Sequence, residues 1–121
     1  MNEKVIIDAN VIIEGNYLEL PFDKIFTTPK ISEEIKDHLS GIRFDIEDIT
    51  IESPEEKFVK KISDRSGSMD KNLSDADISA LALAMQKDLP IITDDFAMQD
   101  VAKSLEIEFK GFLEQRYDRK T

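Results

Sequence analysis

Short apolar runs, each cut off by an acidic residue, constrain this chain more than any other feature. Val5-Ile6-Ile7 is β-branched throughout and stops at Asp8, and Ile91-Ile92-Thr93 stops at Asp94-Asp95. Apolar runs this short, without alternation, have the pattern of strands buried on both faces inside a parallel sheet. Lys24-Ile25-Phe26-Thr27 reads as a second strand. Phe44 to Ile51 reads as a third with a phase slip at Glu47-Asp48, and Ile107 to Phe109 as a last one.

Helical patterns lie between these runs. Thr28-Pro29 predicts a helix start, Thr as N-cap and Pro at the first helical position, with Ile31, Ile35, Leu39 and Ile42 on one face and Gly41 as terminator. Pro54 opens a second helix carrying Phe58, Val59 and Ile62, closed by Ser66-Gly67-Ser68. Ser74 with Asp77 three residues on is an Asp variant of the capping box, followed by Ile78, Leu81, Ala82 and Met85 at helical spacing. A fourth helix runs from Phe96 to Leu105. This alternation predicts a three-layer α/β/α sandwich around a mainly parallel central sheet. One domain over residues 1–113 is expected, with a polar tail over 114–121.

Composition matters at three points. With no cysteine, disulfides, thiolate metal sites and cysteine nucleophiles are excluded. No apolar run approaches the roughly 20 residues of a membrane span, and three apolar residues before Asp8 are too few for a signal peptide, so a cytoplasmic protein is expected. The net charge of −10 opposes nucleic-acid binding through Lys and Arg. That opposition reverses locally where acids converge on a divalent cation, which then attracts phosphate.

The positions of the acids decide between these two roles. In open α/β sheets, ligands bind beyond the carboxyl ends of the strands. Asp8 and the pair Asp94-Asp95 sit at two such ends. On the first helix, Glu34 lies about 60° outside the edge of the apolar arc and is expected to border the core, whereas Glu33 lies on the opposite side. On the third helix, Asp75 and Asp77 lie equally far from the apolar stripe, and helical geometry does not choose between them. Each acid taken alone has a plainer reading as a turn, cap or solvated residue. Together they predict crowded carboxylates that a hard divalent ion, Mg²⁺ or Mn²⁺, would neutralise. Asn10 and Thr93 are the candidates for hydrogen bonds that orient these acids. Lys57, Lys60, Lys61, Arg65 and Lys71 form a basic stretch that either supplies phosphate contacts or is a solvated helix face.

Four stretches resemble the PIN-domain nucleases: Val5-Ile6-Ile7-Asp8-Ala9-Asn10, Thr28-Pro29-Lys30-Ile31-Ser32-Glu33-Glu34-Ile35, Leu73-Ser74-Asp75-Ala76-Asp77-Ile78 and Ile92-Thr93-Asp94-Asp95. No one of them is specific; their order and spacing are. Within the family the likeness is greatest to the Nob-type domain, through Thr27 to Asp37, Leu73 to Ala84 and Thr93 to Ala102. The resemblance implies Asp8, Glu34, Asp77 and Asp95 as the acidic catalytic site, and Asp8, Asp77, Asp94 and Asp95 as metal ligands, with the choice between Asp94 and Asp95 open. It implies an Mg²⁺- or Mn²⁺-dependent endoribonuclease acting on single-stranded RNA and leaving a 3′-hydroxyl and a 5′-phosphate. The Nob-type role is 3′-end maturation of small-subunit ribosomal RNA, with pre-rRNA and the pre-ribosomal small subunit as partners. Nob-type enzymes carry a cysteine-rich zinc ribbon after this domain, and this cysteine-free chain departs from that. The alternatives are a toxin-type PIN ribonuclease of a toxin–antitoxin pair and a non-catalytic PIN scaffold. A receiver-like domain is disfavoured, because no lysine follows the strand that ends at Asp94.

Overall fold

The structure, a computed structural model, describes residues 3–9, 11, 22–38 and 49–111. In chain order these form β1 (Lys4–Ile7), β2 (Lys24–Thr27), α1 (Pro29–His38), β3 (Ile49–Ile51), α2 (Glu56–Ser68), α3 (Asp75–Lys87), β4 (Ile91–Ile92), α4 (Phe96–Ser104) and β5 (Phe109–Lys110). The sheet order is β3-β2-β1-β4-β5 and all four pairings are parallel, as the unbroken apolar runs predict. Val5, Ile6, Ile7, Ile91 and Ile92 are fully buried, which is why neither β1 nor β4 shows an in–out alternation.

The chain adds strands in one direction from β1 through β2 to β3, then returns to the other side of β1 for β4 and β5. The reversal falls between β1 and β4. A parallel sheet opens a crevice at the carboxyl ends of the two strands that flank such a reversal. Asp8 follows one of these strands and Thr93 the other.

Helix α3 is apolar around most of its circumference, burying Ala76, Ser79 and the run Ala80 to Ala84. A helix with that pattern must be covered on several sides, and α3 packs against α1, α2, α4 and β1. It ends at Asp88 in the left-handed conformation (φ 54°, ψ 48°), whose N–H bonds back to the Ala84 and Met85 carbonyls. Asp tolerates this backbone better than most side chains do. Ile31, Ile35 and Ile62 complete the core from α1 and α2.

Two boundaries differ from the sequence reading. Helix α2 begins at Glu56 rather than at Pro54, because Glu55 stays extended and its N–H is taken by Gln86 Oε1 at 2.7 Å. The same helix ends at Ser68, within the expected Ser66-Gly67-Ser68 terminator. The last strand is Phe109–Lys110, with Ile107 buried just before it. The expected strand start at Phe44, the terminator Gly41 with Leu39 and Ile42, and the tail over 114–121 lie outside the described residues. Among the described residues no helix is long and apolar enough to cross a membrane.

Candidate active site

Three aspartates lie within electrostatic reach of one another about the crevice, and each also makes a capping bond. Asp8 Oδ1 accepts the Val11 N–H at 3.0 Å, where the chain turns helical after β1. Asp77 stands third in α3 and completes a reciprocal capping box: Ser74 Oγ accepts its N–H at 3.1 Å, and its Oδ2 accepts the Ser74 N–H at 3.3 Å. Asp95 caps α4 through Oδ1, which accepts the N–H groups of Ala97 and Met98 at 2.8 and 3.3 Å. The plain cap readings of these acids hold, and a cap role does not exclude a place in a cluster. Unpaired amides and the positive dipole ends of helices stabilise carboxylates at such positions, which allows three to be gathered at one place.

That they are gathered is visible in their electrostatics. Asp8 is 2% exposed. Burial pushes its carboxyl from 3.8 up to about 6, against the lowering effect of the Thr93 and Val11 hydrogen bonds, and the negative charges of Asp77 and Asp95 push it further up. Asp77 is also raised, first by burial and then by the charge of Asp95, while its two bonds with Ser74 oppose the shift. Residues remote along the chain therefore act on one another through space, as like charges in a cleft do. Thr93 ties the group together. Its hydroxyl donates to Asp8 Oδ2 at 2.5 Å and accepts the Asp95 N–H at 3.1 Å. Gln99 Nε2 holds the Thr93 carbonyl at 2.8 Å, fixing the turn that carries both.

The other expected site residues fall differently. Glu34 is exposed and does not border the core. The reason is Ser32, which is buried and lies on the side of the α1 stripe away from Glu34, so the buried face is rotated from the arc that the isoleucines alone define. Asp94 is exposed beside the half-buried Asp95. Asp75 is exposed and lines a cavity of about 660 Å³ between α1, α2 and α3, together with Thr28, Lys30, Glu33 and Ser79; Asp77 is the acid that acts on Asp8. Lys57, Lys60, Lys61 and Arg65 are exposed along α2, Lys57 lying 3.7 Å from Glu55. Lys71 is half-buried and pairs with Asp100 at 3.0 Å. Asn10 lies outside the described residues.

The cluster offers oxygen donors alone, the set that hard divalent ions take. Each carboxylate keeps lone pairs beyond its cap bonds, and a cation would offset both the burial that chiefly raises Asp8 and the lesser repulsion from Asp77 and Asp95. Among the described residues no three acidic or histidine side chains already stand at the spacing that grips an ion. The residues thus fit such an ion in charge and donor type.

A family model described as the PIN domain of ribonuclease matches residues 5–86. The chain belongs to the PIN-domain family. The match covers Asp8 and Asp77 and three of the four sequence stretches that carry the resemblance; Ile92-Thr93-Asp94-Asp95 lies beyond it. This PIN domain is 34% identical over 108 residues to endoribonuclease Nob1 of Methanocaldococcus jannaschii, covering 88% of this chain and 55% of that protein. It is 32% identical to endoribonuclease Nob1 of Archaeoglobus fulgidus, covering 94% of this chain and 71% of the relative, and 33% identical to ribonuclease VapC1 of Thermoplasma acidophilum, covering 94% and 60%. The PIN domain thus spans little more than half the length of the first of these relatives. Among solved structures, FitAcB from Neisseria gonorrhoeae matches with a TM-score of 0.67 at 16% identity, over 90% of this chain and 98% of that one. VapBC-1 from nontypeable Haemophilus influenzae matches with a TM-score of 0.64 at 12% identity, over 91% and 98%. At these identities the solved structures speak to the fold alone.

Proposed function

We propose that this chain is a divalent-metal-dependent endoribonuclease that cuts single-stranded RNA at the Asp8, Asp77 and Asp95 cluster, and that its substrate is the precursor of small-subunit ribosomal RNA, whose 3′ end it matures. One observation carries the reading: Asp8 is buried at the carboxyl end of β1 and bonded to Thr93 at the end of β4, the same hydroxyl takes the Asp95 N–H, and Asp77 in the first turn of α3 lies within electrostatic reach of both acids. Its choice of substrate is supported by the relatives named endoribonuclease Nob1.

When bound, Mg²⁺ or Mn²⁺ supplies Lewis-acid charge for the scissile phosphate and an activated water. Asp8 is the anchor of the set that would hold it, since burial and two hydrogen bonds fix its orientation. Asp77 and Asp95 are half-buried, so their carboxylates meet both the cleft and solvent. Thr93 orients Asp8 and the turn at Asp95 with one hydroxyl. Glu34, exposed on α1, and Asp94, exposed beside Asp95, are the further acids of the proposed set.

The test is cleavage of a single-stranded RNA spanning the mature 3′ end of the small-subunit precursor, with Mn²⁺, by wild type and by Asp8→Asn. Wild type cuts at the mature end; the variant and EDTA-treated protein do not. Cleavage that survives either change overturns the mechanism. A second reading, a toxin-type ribonuclease, is supported by the 33% identity to ribonuclease VapC1. Efficient cutting of unrelated RNA, with no preference for the precursor, would favour it.

A further inference from the structure

Phe96 is 80% exposed; Ile51, at 36%, is the other exposed large apolar side chain among the described residues. A phenylalanine in water forgoes the free energy that burial of its ring would release. Helix α4 does not need it. The cap is Asp95, and the buried face of the helix is Met98, Val101 and Ala102. What distinguishes Phe96 is its place. It is the residue after Asp95, with Cα atoms about 3.8 Å apart, at the strand edge where the carboxylates gather.

We infer that Phe96 is a stacking platform for one nucleobase of the RNA strand, next to the phosphate that lies at the aspartate cluster. The inference rests on the ribonuclease reading above. A chain with a net charge of −10 draws little affinity from Lys and Arg contacts to phosphates away from the cation. Stacking compensates for that, because every base presents a π face whatever the backbone charge. A protein partner fits the surface less well. Ile51 ends β3, three strand spacings or roughly 14 Å from β4, so among the described residues the two exposed apolar side chains stand apart and form no continuous patch of the kind a protein interface requires.

The experiment measures binding of a short end-labelled single-stranded RNA by fluorescence anisotropy, in the Asp8→Asn background so that the strand stays intact. Adding Phe96→Ala weakens binding about 5- to 150-fold, the equivalent of one stacked base, and Phe96→Tyr restores it. The loss persists at high salt. An RNA lacking its base at one position beside the cut binds the Asp8→Asn protein equally well with and without Phe96→Ala. Unchanged binding with Phe96→Ala, a loss that Tyr does not restore, or the absence of any such base position each overturns the platform. Those outcomes leave the nuclease reading standing wherever wild type still cuts RNA. If wild type neither binds nor cuts RNA, both fall together.

Discussion

Replacing Asp8 by Asn in metal-free protein isolates the energetic cost of the site. Asp8 titrates at about 6 in the folded chain, against 3.8 for an ordinary carboxyl, chiefly because it is buried. Folding therefore favours its protonated form. The associated stability is complete below about pH 3.8 and is lost as pH rises through about 6. A shift of about two units corresponds to about 3 kcal/mol. Asparagine removes that pH dependence at some cost, since it has one acceptor oxygen where Asp8 uses two. If the amide oxygen keeps the Val11 N–H, the amide nitrogen faces Thr93, whose hydroxyl must turn to Met98 Sδ, a weak acceptor 3.6 Å away. That exchange costs about 1 kcal/mol. The net expectation is a variant about 2 kcal/mol more stable than wild type near pH 8, with the advantage gone near pH 4. Urea unfolding in EDTA at the two pH values, with the slope unchanged, reads this directly. A variant destabilised equally at both pH values would refute the argument that the ionised Asp8 is held at a cost.

Further substitutions test the framework around the acids. Thr93→Val removes the donor to Asp8 Oδ2 and should raise the Asp8 carboxyl further and cost about 1–3 kcal/mol above pH 6, followed by carboxyl-carbon NMR titration; Thr93→Ser should restore both. Ser74→Ala removes half of the capping box and should lower stability by about 1 kcal/mol, with faster hydrogen exchange at the Asp77 amide. Leu81→Ala, at a fully buried position of α3, should cost about 2–5 kcal/mol in urea unfolding.

The strands at the centre of the sheet were legible because β1 and β4 are buried on both faces, and a run such as Val5-Ile6-Ile7 has no other stable use in a chain of this kind. The site was legible where acids follow such a run, as at Asp8 and the pair Asp94-Asp95, and so was the orienting role of Thr93, which ends the run itself. The choice within the pair was not legible, because it is the tie from the Asp95 N–H to Thr93 that sets Asp95 beside Asp8. Asp77 could not be separated from Asp75 by helical angle. The reciprocal bonds to Ser74 hold Asp77 at the start of α3, and its nearness to Asp8 is a fact of tertiary packing. Glu34 was misplaced because a buried serine carries no apolar signal, so the α1 face had to be drawn without Ser32. Phe96 went unnoticed for the converse reason. An apolar residue at a helix start reads as core, and only the structure shows its ring in solvent. The start of α2 was misread because the bond from Glu55 to Gln86 joins residues 31 positions apart.

Whether the three aspartates form one cation site is tested most directly by titrating Mn²⁺ and following the free ion by electron paramagnetic resonance. Wild type should bind the ion, and Asp8→Asn, Asp77→Asn and Asp95→Asn should each weaken binding by at least about tenfold. Binding that all three variants retain, or its absence in wild type, would contradict the account.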